Sequence, residues 1–474
     1  MLSRFIRVGG MIGLVLGLFI GPVMTVSGQS ATGTTWTSSI SYYNTSDTGG
    51  NLVIAYHAEG SSTPVATVGL PLTPHQAGSL YIGSVGGIPD SWLGSIVMYS
   101  DVPIISTYVQ YAAGDLHDQY GRPMYSGFPE SGGSTTFYIP TFLYQKFGST
   151  SMIAIQNVDT ADITANAKVY PAGSGTPIYD QDHAIPPGAS EVLDAAEMGL
   201  SPGLNSSVVI TATGEVAAVS LETYDAGRPA YAFEGFSGGA TTVYMATMLC
   251  NAFGAQQQTV NYAIQNVGTI STDITVDFYD TAGSSITTTP PIPVPAGSKT
   301  SVLSCDYVPD GTTGSAMITS TGEPVIAMGK ASSATGMVTA FVGQTAGATK
   351  VAAPYVRWSA DPYADWRSNV AVTNVGAGDA TDILVRYYDA SGNLAGSEVL
   401  ATVGDPLPSN IKRNTNPETA GALDANGNFG INPYGGALEV ASDQPVIVLV
   451  RTARQASYPD TTLFAEDYNG SPVP

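Results

Sequence analysis

Cations are scarce in this chain. Lys and Arg together number 16 in 474 residues, against 38 Asp and Glu, for a formal net charge of −22. Charged residues make up 11% of the sequence, less than half of the ~25% usual in soluble domains. So acidic a chain repels polyanions, which argues against nucleic acid and anionic lipid as partners. Histidine is nearly missing: His57, His75, His117 and His183 are the whole set and share no common spacing. The nearest approach to a His/Asp pair is His117-Asp118 beside Asp115, with no nucleophile at hand. Gly235-Phe236-Ser237-Gly238-Gly239 has the letters of a hydrolase nucleophile elbow, yet no His follows it and no strand-to-helix context surrounds it. It reads as a glycine hinge. The two cysteines, Cys250 and Cys305, fall short of the four ligands of a structural zinc site. Long amphipathic helical patterns are missing as well. No catalytic residue, no cofactor site and no metal-ligand set emerges from the sequence.

What the chain does contain, it contains four times. Tyr262-Ala263-Ile264-Gln265-Asn266-Val267-Gly268 returns as Ile153-Ala154-Ile155-Gln156-Asn157-Val158 and as Val370-Ala371-Val372-Thr373-Asn374-Val375-Gly376. A worn copy, Ile40-Ser41-Tyr42-Tyr43-Asn44, opens the series. The asparagines are 113, 109 and 108 residues apart, the length of a domain rather than of a solenoid repeat. Within the third copy, Ile274, Val276 and Phe278 alternate with Thr275, Asp277 and Tyr279, the period of a half-buried strand. Turns follow at Asp280-Thr281-Ala282-Gly283 and Thr321-Gly322-Glu323, the second read as a late hairpin, and the stretch from Pro290 to Gly297 reads as an edge or loop. Seven or eight short strands per copy predict an immunoglobulin-like or fibronectin-III-like antiparallel sandwich. The boundaries fall at 31–133, 134–239, 240–347 and 348–474. The first copy lacks a leading strand ahead of Trp36, so that strand reads as a connector between domains.

Residues 1–30 read as a secretory signal peptide. Arg4 and Arg7 precede an uncharged run from Val8 to Val26, and small residues follow at Ser27, Gly28, Ser30 and Ala31. The run would touch a membrane only if left uncleaved. In an oxidising compartment Cys250 and Cys305 are a candidate disulfide, closing a loop within the third copy.

The Thr-Thr-apolar strand, the Gln-Asn-Val-Gly turn and the Tyr-Asp-x-x-Gly turn of Tyr279 to Gly283 and Tyr388 to Gly392 together resemble secreted bacterial cell-surface proteins built of tandem Ig-like domains. The resemblance spans nearly the whole chain after the leader and implies an envelope, matrix, stalk or adhesin component. The expected partners are other envelope or matrix proteins or surface glycans, at an extracellular or cell-surface location. Four such domains laid end to end as a stalk would give a radius of gyration near ~40 Å, against ~22 Å for one globule. The alternative expectation is an extracellular carbohydrate-binding protein, with Trp358, Tyr363 and Trp366 stacking on sugar rings. Calcium is a further candidate, at Asp424-Ala425-Asn426-Gly427-Asn428, although the later bidentate acid of a calcium loop is missing.

Overall fold

The computed structural model describes residues 13–19, 36–89, 92–112, 122–224, 231–359, 366–430, 435–454 and 465–474. It is all-β, in several separate antiparallel sheets, and helical structure among the described residues is confined to single 3-10 turns. Each sequence copy contributes two groups of strands. In the third copy, Thr242–Cys250, Thr312–Ser320, Thr272–Asp280 and Ser285–Thr288 lie side by side in one sheet. Lys299–Leu303, Thr259–Asn266, Val325–Ser332 and Val338–Val342 form the other. Ile274, Val276 and Phe278 are fully buried between them, as their alternation requires. Ile292–Val294, inside the proline-rich stretch, pairs with Thr272–Asp280 at that strand's margin.

The repeated asparagine is the staple of each copy. Asn44, Asn157, Asn266 and Asn374 are all fully buried. The Asn266 amide donates to the carbonyls of Ile270 and Val294 at 2.7 and 2.9 Å and accepts from Gly268 N at 2.8 Å. Asn374 makes the same three bonds to Gly378, Leu407 and Gly376, and Asn157 to Ala161, Ile185 and Asp159. A buried amide can be satisfied this way only if turn and neighbouring strand are both in place.

Two expectations change. The late turn is not a hairpin. In the second copy Leu204–Tyr224 runs as one strand through Thr213-Gly214-Glu215, pairing with Ser134–Tyr144 and Ile163–Pro171 first and with Ser149–Asn157 afterwards. The chain crosses from one group of strands to the other instead of reversing. Gly436–Arg454 does the same in the fourth copy, passing from Ala348–Val356 to Trp366–Asn374. The leading strand is also no mere connector, because Thr242–Cys250 pairs along Thr312–Ser320 as part of the sheet. In the first copy the equivalent edge, along Gly94–Ser100, is taken by Gly13–Phe19.

The copies do not run end to end. A buried serine at the same position in three copies donates to a turn of the next one: Ser95 to Gly188 O at 2.7 Å, Ser207 to Gly297 O at 2.8 Å, and Ser315 to Asn410 O. The fourth copy then meets the first, where Tyr43 donates to Glu439 at 2.7 Å and Arg122 pairs with the fully buried Glu466. The closing strands Met124–Ser126, Tyr231–Glu234, Val338–Val342 and Ala465–Asn469 neighbour one another in cyclic order. Ser126 donates to Asn469 O at 2.7 Å, and the Asn469 amide exchanges two bonds with Val342. The arrangement is a closed ring of four.

Candidate functional site at the repeat junctions

The ring places two equivalent clefts between copies, one joining the second to the third and one joining the third to the fourth. Their volumes are about 160 Å³ and 340 Å³. Position by position they are lined alike. The leading strand supplies a threonine to each, Thr141 or Thr247. The strand paired with the asparagine-bearing strand of the next copy, Lys299–Leu303 or Lys412–Thr415, supplies a lysine as its first residue. The sheet register fixes the correspondence: Lys299 lies opposite Gln265, one residue before Asn266, and Lys412 opposite Thr373, one before Asn374. A second cation follows in register, Lys330 opposite Asn261 and Arg451 opposite Asn369.

Both lysines are buried, at 3% and 6% exposure. The Lys299 ammonium donates to Thr141 Oγ1 at 3.3 Å and that of Lys412 to Thr247 Oγ1 at 2.9 Å. Burial is the main force on each and pulls each down to about 7. Repulsion from Lys330 adds to it at Lys299, with Glu222 opposing, and repulsion from Arg451 adds to it at Lys412. The second cations are differently placed, since each has a carboxylate. Lys330 pairs with the fully buried Glu222 at 2.8 Å, which also accepts from Tyr231, and Arg451 pairs with Asp467 at 2.6 Å.

A phenylalanine stands at the mouth of each cleft. Phe147 and Phe253 are 71% and 57% exposed, and both have left-handed backbones, at φ 55° and 63°. For a residue with a Cβ this conformation is strained, by about 1–3 kcal/mol. The other two junctions lack the cations. At the first-to-second junction the register positions of the lysine and second cation hold Ser190 and Leu221, and at the fourth-to-first they hold Ala77 and Val109.

The residues singled out from the sequence lie elsewhere. Trp358 and Trp366 are 7% and 3% exposed. Trp366 is sandwiched by guanidinium groups, Arg122 at 4.6 Å and Arg357 at 5.3 Å from its ring, and Trp358 is covered by Arg367. Neither presents a ring face to solvent, and Tyr363 lies outside the described residues, as do Asp115, His117 and Asp118. Cys250 and Cys305 are joined in a disulfide, with Cα atoms 4.9 Å apart. The Asp424 carboxylate accepts the backbone N–H groups of Asn426 and Asn428, which is how an Asx turn is held. Asp280 and Asp389 close their own turns in the same way. Of the histidines, His75 bridges the fourth-to-first junction, bonded to Asp47 and Tyr43 and stacked on Tyr388. The lysine pair escaped sequence reasoning. Two of very few cations fall 33 and 38 residues after the repeated asparagine, a spacing too uneven to mark them in the sequence.

No protein family matches the sequence, and no curated protein matches it. One solved structure, "Crystal Structure of Thermotoga maritima 1070", is similar over 22% of this chain and 94% of its own, at 15% identity and a TM-score of 0.20. Nothing below rests on it.

Proposed function

We propose that this chain is an exported, non-enzymatic protein of the cell surface or extracellular matrix, with a structural or adhesive role, built of four Ig-like sandwiches. It acts as a closed ring and not as an extended stalk. The observation that carries the reading is the recurrence of one cation-lined, aromatic-rimmed cleft at two junctions. Cations are costly to bury, and repeating the device at matched register in so cation-poor a chain speaks for a contact surface. The leader-like N-terminus and the Cys250–Cys305 bridge support export. The carbohydrate-binding alternative remains the second reading, and its site moves from the buried tryptophans to the clefts.

Cell fractionation with intact-mass measurement, followed by small-angle scattering on the monomer, tests this. Export predicts the protein in the extracellular or envelope fraction with its leader removed. The ring predicts a radius of gyration near ~22 Å, that of one globule of this length. A cytoplasmic, full-length protein would sink the export reading, and a radius near ~40 Å would sink the ring.

A further inference from the structure

Each cleft holds a buried ammonium whose hydrogen-bond partner from the protein is a threonine hydroxyl, and an ammonium has three protons to place. The neighbouring carboxylates, Glu222 and Asp467, are occupied by Lys330 and Arg451. A small anion able to enter a cleft of about 160 or 340 Å³ would find these ammonium protons within reach. Other polar groups wait beside it. The Oδ1 atoms of Asn205 and Asn261, in the wall of the first cleft, are buried without a partner, and acceptors of that kind are matched by hydroxyl donors. Asn369, Asn414 and Gln256 line the second. Above each stands a phenylalanine held outward on a strained backbone, Phe147 with the Lys146 ammonium 5.1 Å from its ring centroid.

We propose that the two clefts are twin subsites for a carboxylated sugar, its carboxylate on Lys299 or Lys412, its hydroxyls on the asparagines, and its ring against Phe147 or Phe253. The inference rests on the reading of the clefts as contact sites and names their ligand class. A polyanion is disfavoured by the net charge of −22, whereas a single carboxylate meets only the local field of the cleft. The ligand's charge offsets the repulsion between the paired cations and raises the proton affinity of the buried lysine.

The test is calorimetric titration of the full mature chain with glucuronate, glucose and acetate. The expected result is two glucuronate sites per chain, each at least tenfold tighter than for glucose or acetate. The Lys299→Met/Lys412→Met double variant should abolish that binding. The Phe147→Ser/Phe253→Ser variant should reduce glucuronate to the level of acetate. Acetate binding as tightly as glucuronate overturns the sugar, and glucuronate binding that survives the double Met variant overturns the site. A measurement on the unaltered protein guards against misfolded variants: reductive methylation at pH 8, read by peptide mass, should modify Lys299 and Lys412, and glucuronate but not glucose should protect them. Unprotected lysines overturn the proposal. Localisation is independent of all these readouts, so a cytoplasmic protein that binds glucuronate would refute the surface role and leave the clefts standing.

Discussion

Replacing Lys299 by Met should make the protein more stable at neutral pH and flatten its response to alkali. The unfolded lysine titrates near 10.5, and the folded one is pulled down to about 7 by burial and by Lys330. Between these values the unfolded chain binds more protons than the folded one, so folding becomes more favourable as pH rises. Each pKa unit is worth about 1.4 kcal/mol. At pH 7 the folded group is half protonated and the unfolded group fully so. By pH 9 the folded group is neutral while the unfolded one remains mostly charged. The gain from pH 7 to 9 comes to about 2 kcal/mol for this one side chain, and it is complete above the unfolded pKa. Burial sets the folded pKa first, Lys330 of the same copy lowers it further, and Glu222 across the junction opposes both. Met fills the same space without a charge, leaving only the Thr141 hydroxyl to find another partner, so the variant should gain about 1–3 kcal/mol at pH 7. Urea denaturation of both proteins at pH 7, 8 and 9 measures the difference directly, and shifts of other groups cancel in the comparison. A variant that tracks the parent at every pH, or that loses more than about 1 kcal/mol at pH 7, would show that the buried ammonium is not under strain.

Asn266→Leu removes the amide that satisfies two carbonyls and one N–H in a fully buried turn, and should cost about 3 kcal/mol or more. Denaturation midpoints would check it, and a loss below about 1 kcal/mol would mean the turn is held by its strands alone. Reducing the Cys250–Cys305 bridge, which spans 55 residues, should destabilise by about 2–4 kcal/mol. Thiol titration of unreduced, denatured protein should find no free thiol, and two would refute the pairing. Deleting residues 1–30 strips Gly13–Phe19 from the edge of Gly94–Ser100, so the shortened chain should associate with itself through that open edge. Sedimentation should show dimers that disappear with Tyr99→Lys, and a monomer at every concentration would refute the idea.

Local structure was legible in the sequence and assembly was not. Strands such as Thr272–Asp280 announce themselves because one side of a sheet is buried, and alternation is the direct imprint of that. The asparagine motif was visible because it repeats, although its role as a three-bond staple needed coordinates. The late turn was misread because a glycine beside an acidic residue looks the same whether a strand reverses or passes between sheets. Trp358 and Trp366 suggested an exposed aromatic cluster, but Arg122, more than 200 residues away in sequence, covers Trp366 together with the nearby Arg357. The joints between successive copies depend on serines such as Ser95 and Ser207, one in each of three copies, and a lone serine carries no pattern. The clefts share that fate, since each assembles from two copies and neither half looks like a site.

Closure of the ring within a single polypeptide frees its junctions from one another. A ring of four separate identical chains would have four identical junctions by symmetry, and any substitution would be imposed four times over. Here the same position can be Lys299 at one junction, Lys412 at the next, Ser190 at a third and Ala77 at the fourth. Two junctions keep the buried lysine. The Ser190–Leu221 and Ala77–Val109 junctions have no cation at these positions, and the fourth-to-first instead carries the buried Arg122–Glu466 pair and the Tyr43–Glu439–His75 contacts where the serine bond is absent. The asymmetry gives the molecule a front and a back: the cation-lined clefts are adjacent, flanking the third copy, while the opposite half of the circle is left to hold it shut.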